Sequence, residues 1–335
     1  MFEFQEGWWD RPLNGKDTTN EMPHALGTFL YGVCHSICRV AWRYTVDGKE
    51  NLTGFKGHSG VIVVAPHTSF LDVVFMFCSC RPEVWVRFIG RDSLFPKAGG
   101  LLGLALSSVG AFPIKRDSAD RTCIKRAVRN LKNQEVVGIL PEGTRRGKSD
   151  RKPELHAGAA LIAKMAGDVP LLPMCVREAE NVKRKGERLR FPHVSVEFGN
   201  PVLLSDFDFL PKADRQLGCT WYVMRECFAL KYRCEPQDVD MVALFPDGKD
   251  FTEVFATHEV PAHTTPEVVA LKDELRKQAE AAAEARAAQE AAAATCVAQQ
   301  SAAEARTAQE VVAEARTAQE TAQETAPNNI NTKGE

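Results

Sequence analysis

A histidine and an aspartate five residues apart follow a short apolar run: Val61-Ile62-Val63-Val64-Ala65, then Pro66-His67-Thr68-Ser69-Phe70-Leu71-Asp72. An imidazole held by a carboxylate is a positioned general base, able to take a proton from an alcohol near neutral pH. On a straight helix a spacing of five sets two side chains about 140° apart. The pair can therefore meet only with His67 in a loop and Asp72 in the first turn of the next helix. The same residues also have a structural use. Ser69 could cap a helix starting at Phe70, with Asp72 completing a capping box and His67 an ordinary loop residue.

A second cluster, Pro141-Glu142-Gly143-Thr144-Arg145-Arg146-Gly147-Lys148, follows the apolar run Val136–Leu140. Exposed backbone N–H groups beside glycines, a hydroxyl and a guanidinium fork hold an anion well. Gly143 allows close approach, Thr144 gives the hydroxyl and Arg145 the fork. Glu142 could orient Arg145 or hydrogen-bond a substrate hydroxyl. The plain alternative is a solvated turn with surface arginines. A third cluster, Gly110-Ala111-Phe112-Pro113-Ile114-Lys115-Arg116-Asp117, is an apolar run ending in cations. Lys115 and Arg116 could contact phosphate or simply mark a strand end meeting water.

The elements that must position these groups alternate. Strands are expected at 61–65, 84–89, 136–140, 171–176 and 193–198, and helices at 70–79, 119–133, 154–166 and 214–232. Strands separated by helices imply an α/β fold with a mainly parallel central sheet flanked by helices. Reactive groups of such folds sit at the carboxyl ends of strands, where His67 stands. The glycine-rich stretch Leu94–Leu106 reads as core or as a wall for a greasy ligand.

Both ends differ from this body. Residues 1–22 look irregular. Between His24 and Val46 the pattern is helical, with Leu26, Phe29, Leu30, Val33, Ile37, Val40, Ala41 and Tyr44 on one stripe and His35, Ser36, Arg39 and Arg43 opposite. It is a poor bilayer span, since a span needs about 20 mostly apolar residues. It fits an amphipathic helix lying in a membrane interface, or one packed on its own domain. After about 266 the unit Ala282-Ala283-Glu284-Ala285-Arg286-Ala287-Ala288-Gln289-Glu290 recurs at 302–310 with Thr307 in place of Ala, and at 312–320 with Val312 and Thr317 in place of Ala. This composition favours helix, but a ten-residue period turns any face by about 80° per repeat. The Ala-rich tail is thus a helical or disordered spacer, with residues from Pro327 on expected to be disordered. The division is 1–49 for the N-terminal segment, 50–260 for the catalytic domain and 261–335 for the tail.

Composition excludes several classes. Of the net charge of −2, residues 261–335 carry 7 Lys and Arg against 12 Asp and Glu, so the body is only mildly basic and nucleic acid is not the expected partner. Of the 10 cysteines, Cys34 and Cys38 lie in one apolar segment and Cys78 and Cys80 in another; paired CxxC motifs and HExxH are absent from the sequence, and the acidic, aromatic start is unlike a signal peptide. Reduced packing thiols and no structural metal are expected.

Taken in order, His67-x4-Asp72, Gly110 to Arg116, Pro141-Glu142-Gly143-Thr144-Arg145 and Val169-Pro170-Leu171-Leu172-Pro173 resemble the four blocks of the glycerolipid acyltransferases, particularly the 1-acylglycerol-3-phosphate acyltransferases. The flanks Val46–Leu52 and Phe198–Val202 resemble the family's edges, so the likeness spans about residues 24–205. Three positions depart from the usual pattern: Pro66 replaces Asn, Leu140 replaces Phe, and Lys115 precedes Arg116.

The resemblance implies transfer of a fatty acyl group from acyl-CoA or acyl carrier protein to the free hydroxyl of a lysophospholipid, giving phosphatidic acid from 1-acylglycerol-3-phosphate. His67 is then the base oriented by Asp72, and Arg116, Glu142, Gly143, Thr144 and Arg145 bind the acceptor. No metal or organic cofactor is implied. A thioester is already activated, so no enzyme nucleophile is needed, and no GxSxG elbow is present. The substrates place the enzyme on a membrane surface facing the cytoplasm, a bacterial inner membrane in the simplest reading. Another acceptor (glycerol-3-phosphate, a lyso-ornithine lipid or another lysophospholipid), a thioesterase and a non-catalytic lipid-binding adaptor are the alternatives. The sequence fixes no oligomeric state.

Overall fold

The computed structural model describes residues 7–13, 23–115, 120–146, 152–183 and 187–324. Arg116 and the stretch from Pro327 on lie outside them. The chain divides into two compact units, Met1–Asp273 and Glu274–Glu335.

The first unit is built on a seven-stranded sheet. Its strands are β1 (Thr45–Asp47), β2 (Val61–Val64), β3 (Val86–Arg91), β4 (Ala111–Ile114), β5 (Val136–Ile139), β6 (Leu171–Arg177) and β7 (Ser195–Phe198), in the order β1-β7-β6-β2-β5-β3-β4. Every neighbouring pair is parallel except β6 and β7. The helices are α1 (Ala25–Ala41), α2 (Lys49–Thr53), α3 (Asp72–Cys80), α4 (Leu101–Ser108), α5 (Arg121–Lys132), α6 (Gly158–Met165), α7 (Ala179–Val182), α8 (Arg215–Tyr232), α9 (Met241–Leu244), α10 (Thr252–Thr257) and α11 (Thr265–Glu324).

Burial decides the central strands. Val61, Ile62, Val63 and Val64 are wholly buried between β6 and β5. Full burial of such side chains stabilises by roughly 1.5–3 kcal/mol each, whereas intrinsic strand preferences span only about 1 kcal/mol. Gly138 of β5 is forced by the same packing, because a Cβ there would lie 2.7 Å from Met76 Sδ on α3. Helix α3 starts at Asp72 rather than Phe70. Ser69 still shapes its entry, since Ser69 Oγ accepts from Leu71 N at 3.3 Å. Helix α1 ends at Ala41, before the short strand β1.

An N-terminal strap crosses the β3 and β5 region. Trp8, Trp9 and Leu13 are buried. Beneath it, Arg87 Nε meets Glu135 Oε2 at 2.8 Å, with both side chains 1% exposed. Glu135 Oε1 accepts from Leu13 N at 2.7 Å, and Arg87 also donates to the Arg11 carbonyl. The strap thus completes the hydrogen bonding that a buried ion pair requires. On the strap itself, Arg126 beside Asp10 holds that carboxyl below its usual range.

The first unit runs through residues 265–273 of α11. Val268 is buried, Thr265 Oγ1 donates to the Asn51 carbonyl at 2.9 Å, and Lys272 pairs with Asp168 at 3.7 Å. The second unit contains the repeat-bearing part of α11, where Val297, Val311 and Val312 are exposed.

Removing one partner of a buried pair strands the other charge. Glu135→Ala is expected to lower unfolding stability by about 3–5 kcal/mol. Denaturant unfolding monitored by tryptophan fluorescence checks this, and a loss near that of a surface substitution would contradict it.

Candidate active site

Strands β2 and β5 are parallel neighbours in register, with Val64 opposite Ile139. Their carboxyl ends therefore release the 65–71 and 140–146 loops side by side. Ala65 N still donates to the Ile139 carbonyl at 3.3 Å. Beyond it, His67 N donates to Glu142 Oε1 at 3.3 Å, and Arg146 N donates to the His67 carbonyl at 2.9 Å. The two loops are stitched together past the end of the sheet.

The His67–Asp72 pair forms with His67 in the loop and Asp72 opening α3. His67 Nδ1 lies 3.3 Å from Asp72 Oδ2. The same oxygen accepts from Ser69 N at 2.7 Å, and Thr68 Oγ1 makes a long contact of 3.5 Å with Oδ1. The Asp72 side chain is 1% exposed and that of His67 19%. A carboxylate in the first turn of a helix is favoured by the helix dipole. The capping box expected from Ser69 and Asp72 does not form, since Leu71 is the N-cap of α3 and has no side-chain cap hydrogen bond; the Asp72 oxygen beside His67 instead takes up the Ser69 N–H. A carboxylate only accepts, so Nδ1 is the donor, leaving Nε2 on the far edge of the ring as the acceptor.

Glu142 does not orient Arg145. Its buried side chain faces inward, with Oε1 on the His67 N–H and Oε2 2.8 Å from Arg146 Nε. Burial raises its carboxyl above the ordinary range, and the Arg146 charge opposes that shift. The geometry gives Glu142 to holding the two loops, because neither oxygen is left facing outward for a substrate. Gly143 adopts φ +62°, and a Cβ there would lie 3.4 Å from the His156 ring. Thr144 is exposed and Arg145 half-buried on the same turn. Lys115 closes β4, three strand positions from β2, or roughly 14 Å across the sheet.

Sequence reasoning passed over Arg146. Its guanidinium carbon lies 4.9 Å from the ring centre of Phe228 and 4.7 Å from that of Phe245, and Nη1 donates to the Leu244 carbonyl at 3.2 Å. Adjacent arginines look alike in a sequence, and only the fold shows that one is enclosed. Among the described residues, no three His, Cys, Asp or Glu side chains are grouped as a metal site would need.

Residues 43–177 match the Acyltransferase family model. The chain is 30% identical over 175 residues to the 1-acyl-sn-glycerol-3-phosphate acyltransferase of Bacillus subtilis (strain 168), which covers 52% of this chain and 81% of that one. It is 33% identical over 146 residues to the enzyme of the same name from Streptococcus pneumoniae (strain ATCC BAA-255 / R6), covering 43% of this chain and 51% of that one. Against the crystal structure of the 1-acyl-sn-glycerophosphate (LPA) acyltransferase PlsC from Thermotoga maritima, the TM-score is 0.46 at 21% identity, covering 62% of this chain and 83% of that one. The chain is an acyltransferase of lipid synthesis and belongs to the 1-acyl-sn-glycerol-3-phosphate acyltransferase family.

Proposed function

We propose that this enzyme transfers a fatty acyl group from acyl-CoA or acyl carrier protein to the free hydroxyl of 1-acylglycerol-3-phosphate, giving phosphatidic acid, with His67 as general base and no further cofactor. The observation that carries this reading is His67 Nδ1 at 3.3 Å from the buried Asp72, on a ring still partly open at the carboxyl end of the central strand. In this reading His67 Nε2 takes the hydroxyl proton as the acceptor oxygen attacks the thioester carbonyl. Asp72 fixes the tautomer and stabilises the imidazolium, the division of labour seen in hydrolase triads. The tetrahedral adduct collapses with C–S cleavage, and the imidazolium returns its proton to the leaving thiolate. Arg145 and Arg116, with the Thr144 hydroxyl and the backbone at Gly143, bind the acceptor phosphate, while Glu142 keeps the loops in register.

Both substrates are amphiphiles, and α1 supports placement of the enzyme on a membrane surface, which this reading takes to be the cytoplasmic face. Leu26, Phe29, Val33, Ile37 and Val40 are exposed along one stripe, whereas Gly27 and Cys38 turn to the body. Among the described residues no helix is long and apolar enough to cross a membrane. We assign the stripe to the membrane interface.

Thiol release from an acyl thioester by detergent-solubilised protein, with and without lysophosphatidic acid, tests the reaction. Wild type should require the acceptor and form phosphatidic acid, and His67→Ala should lose the typical 10²–10⁴-fold of general-base catalysis. Release without lipid product would mean hydrolysis, and silence would refute this donor and acceptor pairing. Arg145→Ala should chiefly raise the acceptor KM; a fall in kcat at unchanged KM would refute its phosphate role. The triple variant Phe29→Ser, Ile37→Ser, Val40→Ser should sediment less with phospholipid vesicles at unchanged thermal stability. Undiminished sedimentation would move membrane binding to another surface.

A further inference from the structure

Arg146 stands where the catalytic loop meets the C-terminal part of the body. Its backbone N–H holds the His67 carbonyl, and its Nε faces Glu142, whose other oxygen holds the His67 N–H. The peptide unit on each side of His67 is thereby fixed by one arginine and its carboxylate partner. The arginine is fixed in turn, with Phe228 and Phe245 against the guanidinium and the Leu244 carbonyl accepting from Nη1. Aromatic faces attract a cation, and a desolvated guanidinium gains more from them than an exposed one. Phe228, Leu244 and Phe245 all lie beyond residue 177, where the family match ends.

We propose that Arg146 is a positioning residue for the acyl transfer argued above, an inference that rests on that reading. Through Glu142 and the His67 carbonyl it sets the base, and the aromatic clamp contributed by α8 and the turn after α9 sets Arg146. The competing role is direct contact with the acceptor phosphate, since neither Nη2 nor Nε has a hydrogen-bond partner among the described residues. The enclosed guanidinium favours the positioning role: its side chain is 19% exposed, Nη1 is hydrogen-bonded to the Leu244 carbonyl, and Nε stands in ion-pair contact with Glu142 Oε2.

Full-length wild type, Arg146→Met, Glu142→Gln and the double variant are compared in acceptor-dependent thiol release. Each single change should lower kcat by up to roughly 10²-fold, the scale of a 1 Å misplacement of catalytic groups. Acceptor KM should stay unchanged, and the double variant should lose no more than the worse single, because the two act as one unit. Phe245→Leu should lose rate in the same way, and Phe245→Tyr, which keeps the aromatic face, should restore most of it. Losses that multiply in the double variant, or a raised acceptor KM at retained kcat, would overturn the proposal. Failure of wild type to use lysophosphatidic acid would refute the reaction assigned above, not the clamp. Amide exchange then decides. Exchange over residues 141–146 should quicken in Arg146→Met and Phe245→Leu but not in Phe245→Tyr, with Val61–Val64 still protected. Unchanged exchange in that loop, or loss of protection through the whole sheet, would contradict a local positioning role.

Discussion

The parallel pairing of β2 with β5 is the constraint on which the rest depends. With Val64 opposite Ile139, two loops of unrelated sequence leave the sheet at the same level and one strand spacing apart. Each then supplies what the other lacks. The β2 loop brings the imidazole and, five residues on at the start of α3, its carboxylate; the β5 loop brings Glu142 and Arg146, which take up the polar groups of the His67 backbone. A shift of one residue in this register would turn the strand side chains to the opposite face and pull the loops apart. The all-apolar character of β2 opposes such a slip less than alternation would. The close contact of Met76 with Gly138 is a stronger pin, because only that strand position lacks a Cβ.

Burying charge is the second theme. Asp72, Glu142 and Arg87 with Glu135 are all withdrawn from water, and each is compensated differently. Asp72 sits in the first turn of a helix with backbone and imidazole donors. Glu142 has one ion partner and one backbone donor, and its raised carboxyl records that burial outweighs them. The Arg87–Glu135 pair lies away from the chemistry and recruits the N-terminal strap. The first two hold reacting groups within an apolar frame, where misplacement is most costly.

Much of this was legible because central parallel strands are unbroken apolar runs. Val61–Ala65 and Val136–Leu140 announce themselves, and the five-residue spacing of His67 and Asp72 requires the loop-then-helix placement found. The strand Ala111–Ile114 was harder to read, interrupted by Pro113 at the sheet edge, and Thr45–Asp47 is too short for a periodic signal. Periodicity placed the apolar side chains of α1 on one stripe but left their direction open, and Tyr44, counted with that stripe, lies beyond the end of the helix and is buried. The body-facing side is made of Gly27, Cys38 and half-buried Tyr31 and Cys34, residues small or polarisable enough to pack, so the more apolar stripe is left outside. The role of Arg146 was not legible at all, because its partners lie about 80 to 100 residues along the chain.

The central claim is that Asp72 presents His67 with its proton on Nδ1 and its lone pair on Nε2, ready to accept the proton of an alcohol. Nitrogen-15 NMR of histidine-labelled enzyme, with the His67 signals assigned through His67→Gln, reads that tautomer directly. The account predicts the Nδ1–H form in wild type and a shift of the tautomer balance in Asp72→Asn. An Nε2–H tautomer in wild type, or His67 signals indifferent to Asp72→Asn, would contradict it.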